Sequence, residues 1–207
     1  MKTLIRRPDC LRLCLVLLLS LAAGCERQLL SPLPADGIIL AFGDSLTVGL
    51  GANGAQSYPS VLSQLTGHSV VNAGVSGETT AGGLQRLPTV LEDVAPDLMI
   101  LMQGGNDFLR SKNPDSTRDN LAAMIELAQS AGTAVLLVGV PNRMLFNDSA
   151  GFYSDLAAHF EIPLVDGELA SLLRDNRYKS DPIHLNADGY ARLAGAIHDA
   201  LRAHGAL

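Results

Sequence analysis

Four short segments of this chain carry groups that can act together on an acyl carbonyl. Gly43-Asp44-Ser45-Leu46 offers a hydroxyl, and Asn72-Ala73-Gly74 offers a backbone N–H with no side chain in front of it. Gly104-Gly105-Asn106-Asp107 adds a side-chain amide, and Asp181-Pro182-Ile183-His184 a carboxylate three residues from an imidazole. A serine hydroxyl is a weak nucleophile until a base takes its proton, and an imidazole held in one tautomer by a carboxylate is such a base. The oxygen that turns negative during attack needs fixed N–H donors, which Gly74 and Asn106 can supply. Each segment alone is ordinary, since a serine after a strand is usually a helix cap and Gly-Gly-Asn-Asp is a common turn composition. All of them together, in one chain, point to acyl transfer through Ser45.

The elements between these segments decide whether they can meet. Apolar runs recur at Ile38–Phe42, Val70–Val71, Leu98–Met102, Ala134–Val138 and Pro163–Val165. Each is short enough for a strand and lacks alternation, as strands buried on both faces do. Helical periodicity separates them: Tyr58 to Leu65, the face Leu84/Leu87/Leu91 with Pro88 as a kink or restart, Asp119 to Ala131, and Leu156 to Phe160. A last helix runs from an Asn186 cap through Tyr190, Leu193, Ile197 and Leu201. Strands alternating with helices predict a parallel sheet covered on both faces, with ligands at the carboxyl ends of the strands. Ser45, Gly74 and Asn106 each follow a strand and fall on that edge. Asp44 and Asp107 read as helix caps or loop braces. His68 reads as a turn residue, and His159, His198 and His204 as residues on or beside helices.

The N-terminus is set apart from this pattern. Lys2, Arg6, Arg7 and Arg12 precede an apolar run of 11 residues, Leu13–Ala23. Such a run spans about 16 Å as a helix, too little for a bilayer, and residues 1–24 read as a signal peptide. Leu21-Ala22-Ala23-Gly24-Cys25 resembles the bacterial lipoprotein box, which implies lipidation of Cys25 and a membrane attachment through that lipid. Glu26 after the cysteine implies, by resemblance to Gram-negative sorting, the outer membrane facing the periplasm; ordinary cleavage to a soluble periplasmic or secreted protein is the alternative. Residues 25–37 read as the lipidated N-terminus and a tether, and residues 38–207 as one catalytic domain. No cysteine follows Cys25, so the domain has no thiolate metal site and no intrachain disulfide. Removing residues 1–24 takes away four basic residues and one acid and moves the formal charge from −6 to −9, which argues against a nucleic-acid partner.

The four segments, in this order, resemble the blocks of the GDSL or SGNH hydrolase family. Val71–Thr80 and Gly82–Pro88 are similar to its bacterial arylesterase, lysophospholipase and acyl-CoA thioesterase subgroup. The resemblance implies a three-layer α/β/α sandwich, flavodoxin-like, with a five-stranded parallel sheet. It implies Ser45 as nucleophile, His184 as base, Asp181 as its orienting partner, and an oxyanion hole made of the backbone N–H groups of Ser45 and Gly74 with the Asn106 side chain. No metal or organic cofactor is expected, and the substrate expected is an acyl or aryl ester, a lysophospholipid or an acyl thioester. Leu185 stands where the subgroup often has proline, and Val140–Gly151, an acyl-pocket segment in relatives, matches poorly. Two other readings are a carbohydrate O-deacetylase and a non-catalytic binding lipoprotein on the same fold.

Overall fold

The computed structural model describes residues 28–142 and 150–207. The expected signal peptide, Cys25 and most of the poorly matching segment at 140–151 lie outside the described residues.

The sheet has five strands in the order β2-β1-β3-β4-β5, all parallel. They are β1 (Ile38–Gly43), β2 (Ser69–Gly74), β3 (Leu98–Met102), β4 (Ala134–Val138) and β5 (Leu164–Val165). Helices are α1 (Ser45–Val48), α2 (Tyr58–Thr66), α3 (Thr80–Val94), α4 (Gly105–Leu109), α5 (Pro114–Ser130), α6 (Phe152–His159), α7 (Glu168–Arg174) and α8 (Ala187–Ala203). α2 packs on α8, and α3 packs on α5. The layers are therefore helix, sheet and helix, in the doubly wound order of flavodoxin.

The continuous apolar runs are the central strands. Ile39–Phe42 and Leu98–Met102 have no exposed surface, and Leu136–Val138 are equally buried. Each such Leu, Ile, Phe or Met contributes about 1.5–3 kcal/mol through burial. β2 lies at the sheet edge and is only half covered, which matches its poorer apolar content. The chain winds outward from β1 in one direction to β2 and in the other to β3, β4 and β5. A crevice opens where the direction reverses, between β1 and β3, and this is where such sheets hold ligands.

Three local differences from the sequence reading have clear causes. α5 begins at Pro114 rather than near Asp119, because Asn113 caps it by accepting from the Asp115 N–H and proline suits the first turn. α3 runs through Pro88 without ending, at the loss of one backbone donor to the Leu84 carbonyl. The end of the stretch read as a tether is fastened to the domain. The Leu30 N–H donates to His204 O at 3.1 Å, the Leu33 N–H donates to Ala206 O at 2.9 Å, and Leu30 is buried.

Candidate active site

Ser45 is the first residue of α1, directly beyond β1. Asp44 makes this turn: its Oδ1 accepts the Leu46 N–H at 3.0 Å and caps the helix. As the first residue of α1, Ser45 has an N–H with no intrahelical acceptor. Asn106 is the second residue of α4, beyond β3. Its Nδ2 donates to the other carboxylate oxygen of Asp44 at 3.1 Å, so the amide is held with its second N–H still to place.

His184 arrives from 139 residues further along the chain, and its Nε2 lies 3.1 Å from Ser45 Oγ. Asp181 Oδ2 lies 2.7 Å from His184 Nδ1. Asp181 Oδ1 accepts the N–H groups of Ile183 and His184, each at 2.8 Å. Burial alone would raise the Asp181 pKa, but the imidazole and these two N–H groups outweigh it and hold the carboxyl below its ordinary value. The loop is set by its surroundings. Leu185 is fully buried, the Ser180 N–H donates to His184 O at 3.0 Å, and Asn186 caps α8 by accepting from Gly189 N. Leu185 thus pins the histidine loop from below, at the position where proline was noted as the usual residue.

Ser45, Asn106 and His184 line one cleft of about 380 Å³, whose other walls include Leu46, Phe108, Val140 and Ile183. Gly74 is not on its wall. The Gly74 N–H donates to Asn72 Oδ1 at 3.0 Å, and a Cβ there would run into the backbone of Thr47 and Val48. Its glycine character lets α1 approach β2. Gly77 lines the cleft instead, with φ at +77° and with its carbonyl accepting from Arg110 Nη2 at 2.8 Å. The sequence reading missed Gly77 because it ended the strand too early; β2 continues to Gly74, so the loop at the cleft starts at Val75. Asp107 is a brace, as expected: its carboxylate accepts the Thr80 N–H and hydroxyl, each at 2.8 Å. Among the described residues no group of three or more His, Cys, Asp or Glu is gathered as a metal site.

Asp44 is 4% exposed. Burial is the largest influence on it and pushes its pKa from 3.8 to about 6, against the opposing pull of the Leu46 N–H, His184 and Asn106. A carboxyl whose pKa is higher folded than unfolded binds its proton more tightly in the native state. Its contribution to stability is therefore full below about 3.8 and declines as pH rises through about 6. That span is worth about 3 kcal/mol. Asp44→Asn removes the titration. The stability of wild type relative to this variant should fall by about that amount between pH 4 and pH 7, as read by denaturant unfolding at both. A difference that does not change with pH would defeat the account.

Residues 41–192 match the GDSL-like lipase/acylhydrolase family. The chain is 38% identical over 126 residues to Esterase TesA of Pseudomonas aeruginosa, covering 58% of this chain and 63% of that protein, just under two thirds of its length. It is 30% identical over 168 residues to Thioesterase 1/protease 1/lysophospholipase L1 of Escherichia coli K12, covering 77% of this chain and 81% of the relative. A crystal structure of TesA superposes with a TM-score of 0.73 at 32% identity, over 80% of this chain and 98% of that one. The sheet order, the crevice between β1 and β3 and this match through most of the domain agree, and the chain belongs to the GDSL-like lipase/acylhydrolase family.

Proposed function

We propose that this protein hydrolyses carboxylic esters of acyl chains, and acyl thioesters, through an acyl-enzyme on Ser45. The observation that carries the reading is the relay from Asp181 through His184 to Ser45, at 2.7 and 3.1 Å, opening onto an apolar cleft. Ser45 Oγ attacks the carbonyl carbon while His184 Nε2 takes its proton. Asp181 holds Nδ1 and stabilises the imidazolium. The oxyanion is received by the Ser45 N–H, the free N–H of the Asn106 amide and the Gly77 N–H. Gly77 takes the part first expected of Gly74, whose N–H is already spent on Asn72. His184 then returns the proton to the leaving alcohol or thiol. Water, activated by the same imidazole, attacks the acyl carbon and frees the acid.

The relatives named esterase, thioesterase and lysophospholipase support the substrate class. The cleft supports acyl chains longer than acetyl, because each buried methylene is worth about 0.8 kcal/mol, roughly a fourfold gain. Across p-nitrophenyl esters, kcat/KM should rise at least about tenfold from acetyl to hexanoyl. A maximum at acetyl would favour a carbohydrate O-deacetylase instead.

Residues 1–24 act as a signal peptide in this reading, and Cys25 carries a lipid that holds the domain of residues 38–207 on the outer membrane, facing the periplasm. Among the described residues no helix is long and apolar enough to cross a membrane. Mass spectrometry of the mature N-terminus tests the anchor: a diacylglyceryl cysteine at position 25 is expected, and an unmodified start elsewhere would replace it with a soluble form.

A further inference from the structure

A cluster of Arg86, Glu78 and Gln103 lies behind the three segments that carry the proposed oxyanion donors. Arg86, on α3, donates through Nε to Glu78 Oε1 at 2.7 Å and through Nη2 to Glu78 Oε2 at 2.8 Å. Nη2 also donates to Ala73 O at 2.8 Å and reaches Gly43 O at 3.4 Å. The guanidinium carbon sits 4.0 Å from the centroid of the Phe42 ring. Glu78 Oε2 accepts in addition from Gln103 Nε2 at 2.9 Å, and the same nitrogen donates to Thr79 O at 3.1 Å.

This cluster therefore grips the last turn of three strands. Gly43 and Ala73 end or nearly end β1 and β2, and Gln103 immediately follows β3. Ser45 comes two residues after Gly43, Gly77 one residue before Glu78, and Asn106 three residues after Gln103. Sheet hydrogen bonds fix the strands but not the spacing of the loops beyond them. Oxyanion donors on three separate segments beyond the strands must nonetheless be held to within about 0.5 Å. The cluster is sheltered, with Gln103 fully buried and the Glu78 and Arg86 side chains 8% and 23% exposed. Room for it is built in. A Cβ at Gly83 of α3 would collide with the Gln103 amide, so the helix closes on the network only with glycine there.

Arg86, Glu78 and Gln103 do not line the cleft and can touch no substrate in it. A sheltered ion pair adds little net stability over an apolar filling. A planar fork with acceptors on two strand ends and in the intervening loop does fix geometry. We infer that Arg86, clamped by Glu78 and Gln103, is a positioning residue that sets the mutual spacing of the oxyanion donors. The inference rests on the acyl-transfer reading of the site.

The test is steady-state kinetics on p-nitrophenyl butyrate with the full chain. Arg86→Ala should lower kcat about 10- to 100-fold, the range expected for an ångström-scale displacement, with KM within about threefold of wild type. Millimolar guanidinium should restore part of the loss, since the vacated site keeps the Glu78 carboxylate and two carbonyls. Arg86→Lys should fall between the two, because an ammonium satisfies Glu78 without the fork. In an Asn106→Ala background the Arg86→Ala penalty should shrink, as one of the donors it positions is already gone. Arg86→Ala with kcat within about twofold of wild type, or the same penalty in both backgrounds without guanidinium rescue, would overturn the inference. If Arg86→Ala does not fold, Arg86→Lys decides by the same twofold criterion. An inactive Ser45→Ala beside a fully active Arg86→Ala removes only this inference. A fully active Ser45→Ala removes the acyl-transfer reading and this inference with it.

Discussion

Ser45→Ala should lower kcat on p-nitrophenyl butyrate by at least about a thousandfold, on the scale of triad deletions. The size follows from what the hydroxyl does. Without Oγ there is no acyl-enzyme, and turnover must proceed by direct attack of water, helped only by the donors and the imidazole that remain. The fold should not suffer. α1 is capped by Asp44 rather than by Ser45, and the Ser45 hydroxyl bonds to His184 rather than to a buried structural partner. An unchanged unfolding midpoint beside the lost activity would place the effect in the chemistry. His184→Ala should cost a similar factor, and the double variant little more than either alone, because nucleophile and base act as one unit. Labelling gives an independent readout. A fluorophosphonate should react with wild type at Ser45 and leave Ser45→Ala unmodified. Near-wild-type turnover by Ser45→Ala would exclude this serine as nucleophile.

The relay behind that result was legible in the sequence because its parts sit in short, local arrangements. Asp181 and His184 are three residues apart, and the turn that joins them is made by Asp181 itself, accepting from Ile183 and His184. Ser45 and Asn106 follow the two apolar runs, Ile38–Phe42 and Leu98–Met102, that become the most deeply buried strands. What stayed hidden depends on distances that periodicity does not encode. That Gly77 and not Gly74 reaches the cleft is not visible in the sequence, because β2, at the sheet edge, is weakly apolar and its end at Gly74 is set by pairing with Gly43 rather than by composition. α7 does have a helical period, with Leu169, Leu172 and Leu173 buried and Glu168, Ser171 and Arg174 on the other face, but at seven residues it is less than two full turns, too short for that period to stand out in the sequence. The Arg86 cluster joins positions 43, 73, 78 and 103, and nothing in any one segment signals the others. Asp44 was legible as a cap. Its second bond, to Asn106, needed the sheet to bring β1 and β3 side by side.

That second bond makes Asn106→Ala the sharper test of how the oxyanion is held. Loss of one such donor costs about 10²–10³ in kcat. The loss should fall on kcat with KM nearly unchanged, because the donor serves the charge that appears in the transition state rather than the neutral carbonyl of the bound ester. The variant also leaves Asp44 Oδ2 without its partner in a buried position, which costs stability of about 1–3 kcal/mol. The two consequences separate cleanly. The stability loss depends on Asp44, so it should be smaller in an Asp44→Asn background, whose neutral amide suffers less from the missing donor. The kcat loss depends on the second N–H of the Asn106 amide, so it should persist there. Fluorophosphonate labelling should slow in Asn106→Ala in step with kcat, since the phosphonyl oxygen occupies the same place as the oxyanion. If kcat falls less than about tenfold while stability drops as stated, Asn106 is a partner for Asp44 and the oxyanion rests on the backbone donors of Ser45 and Gly77 alone.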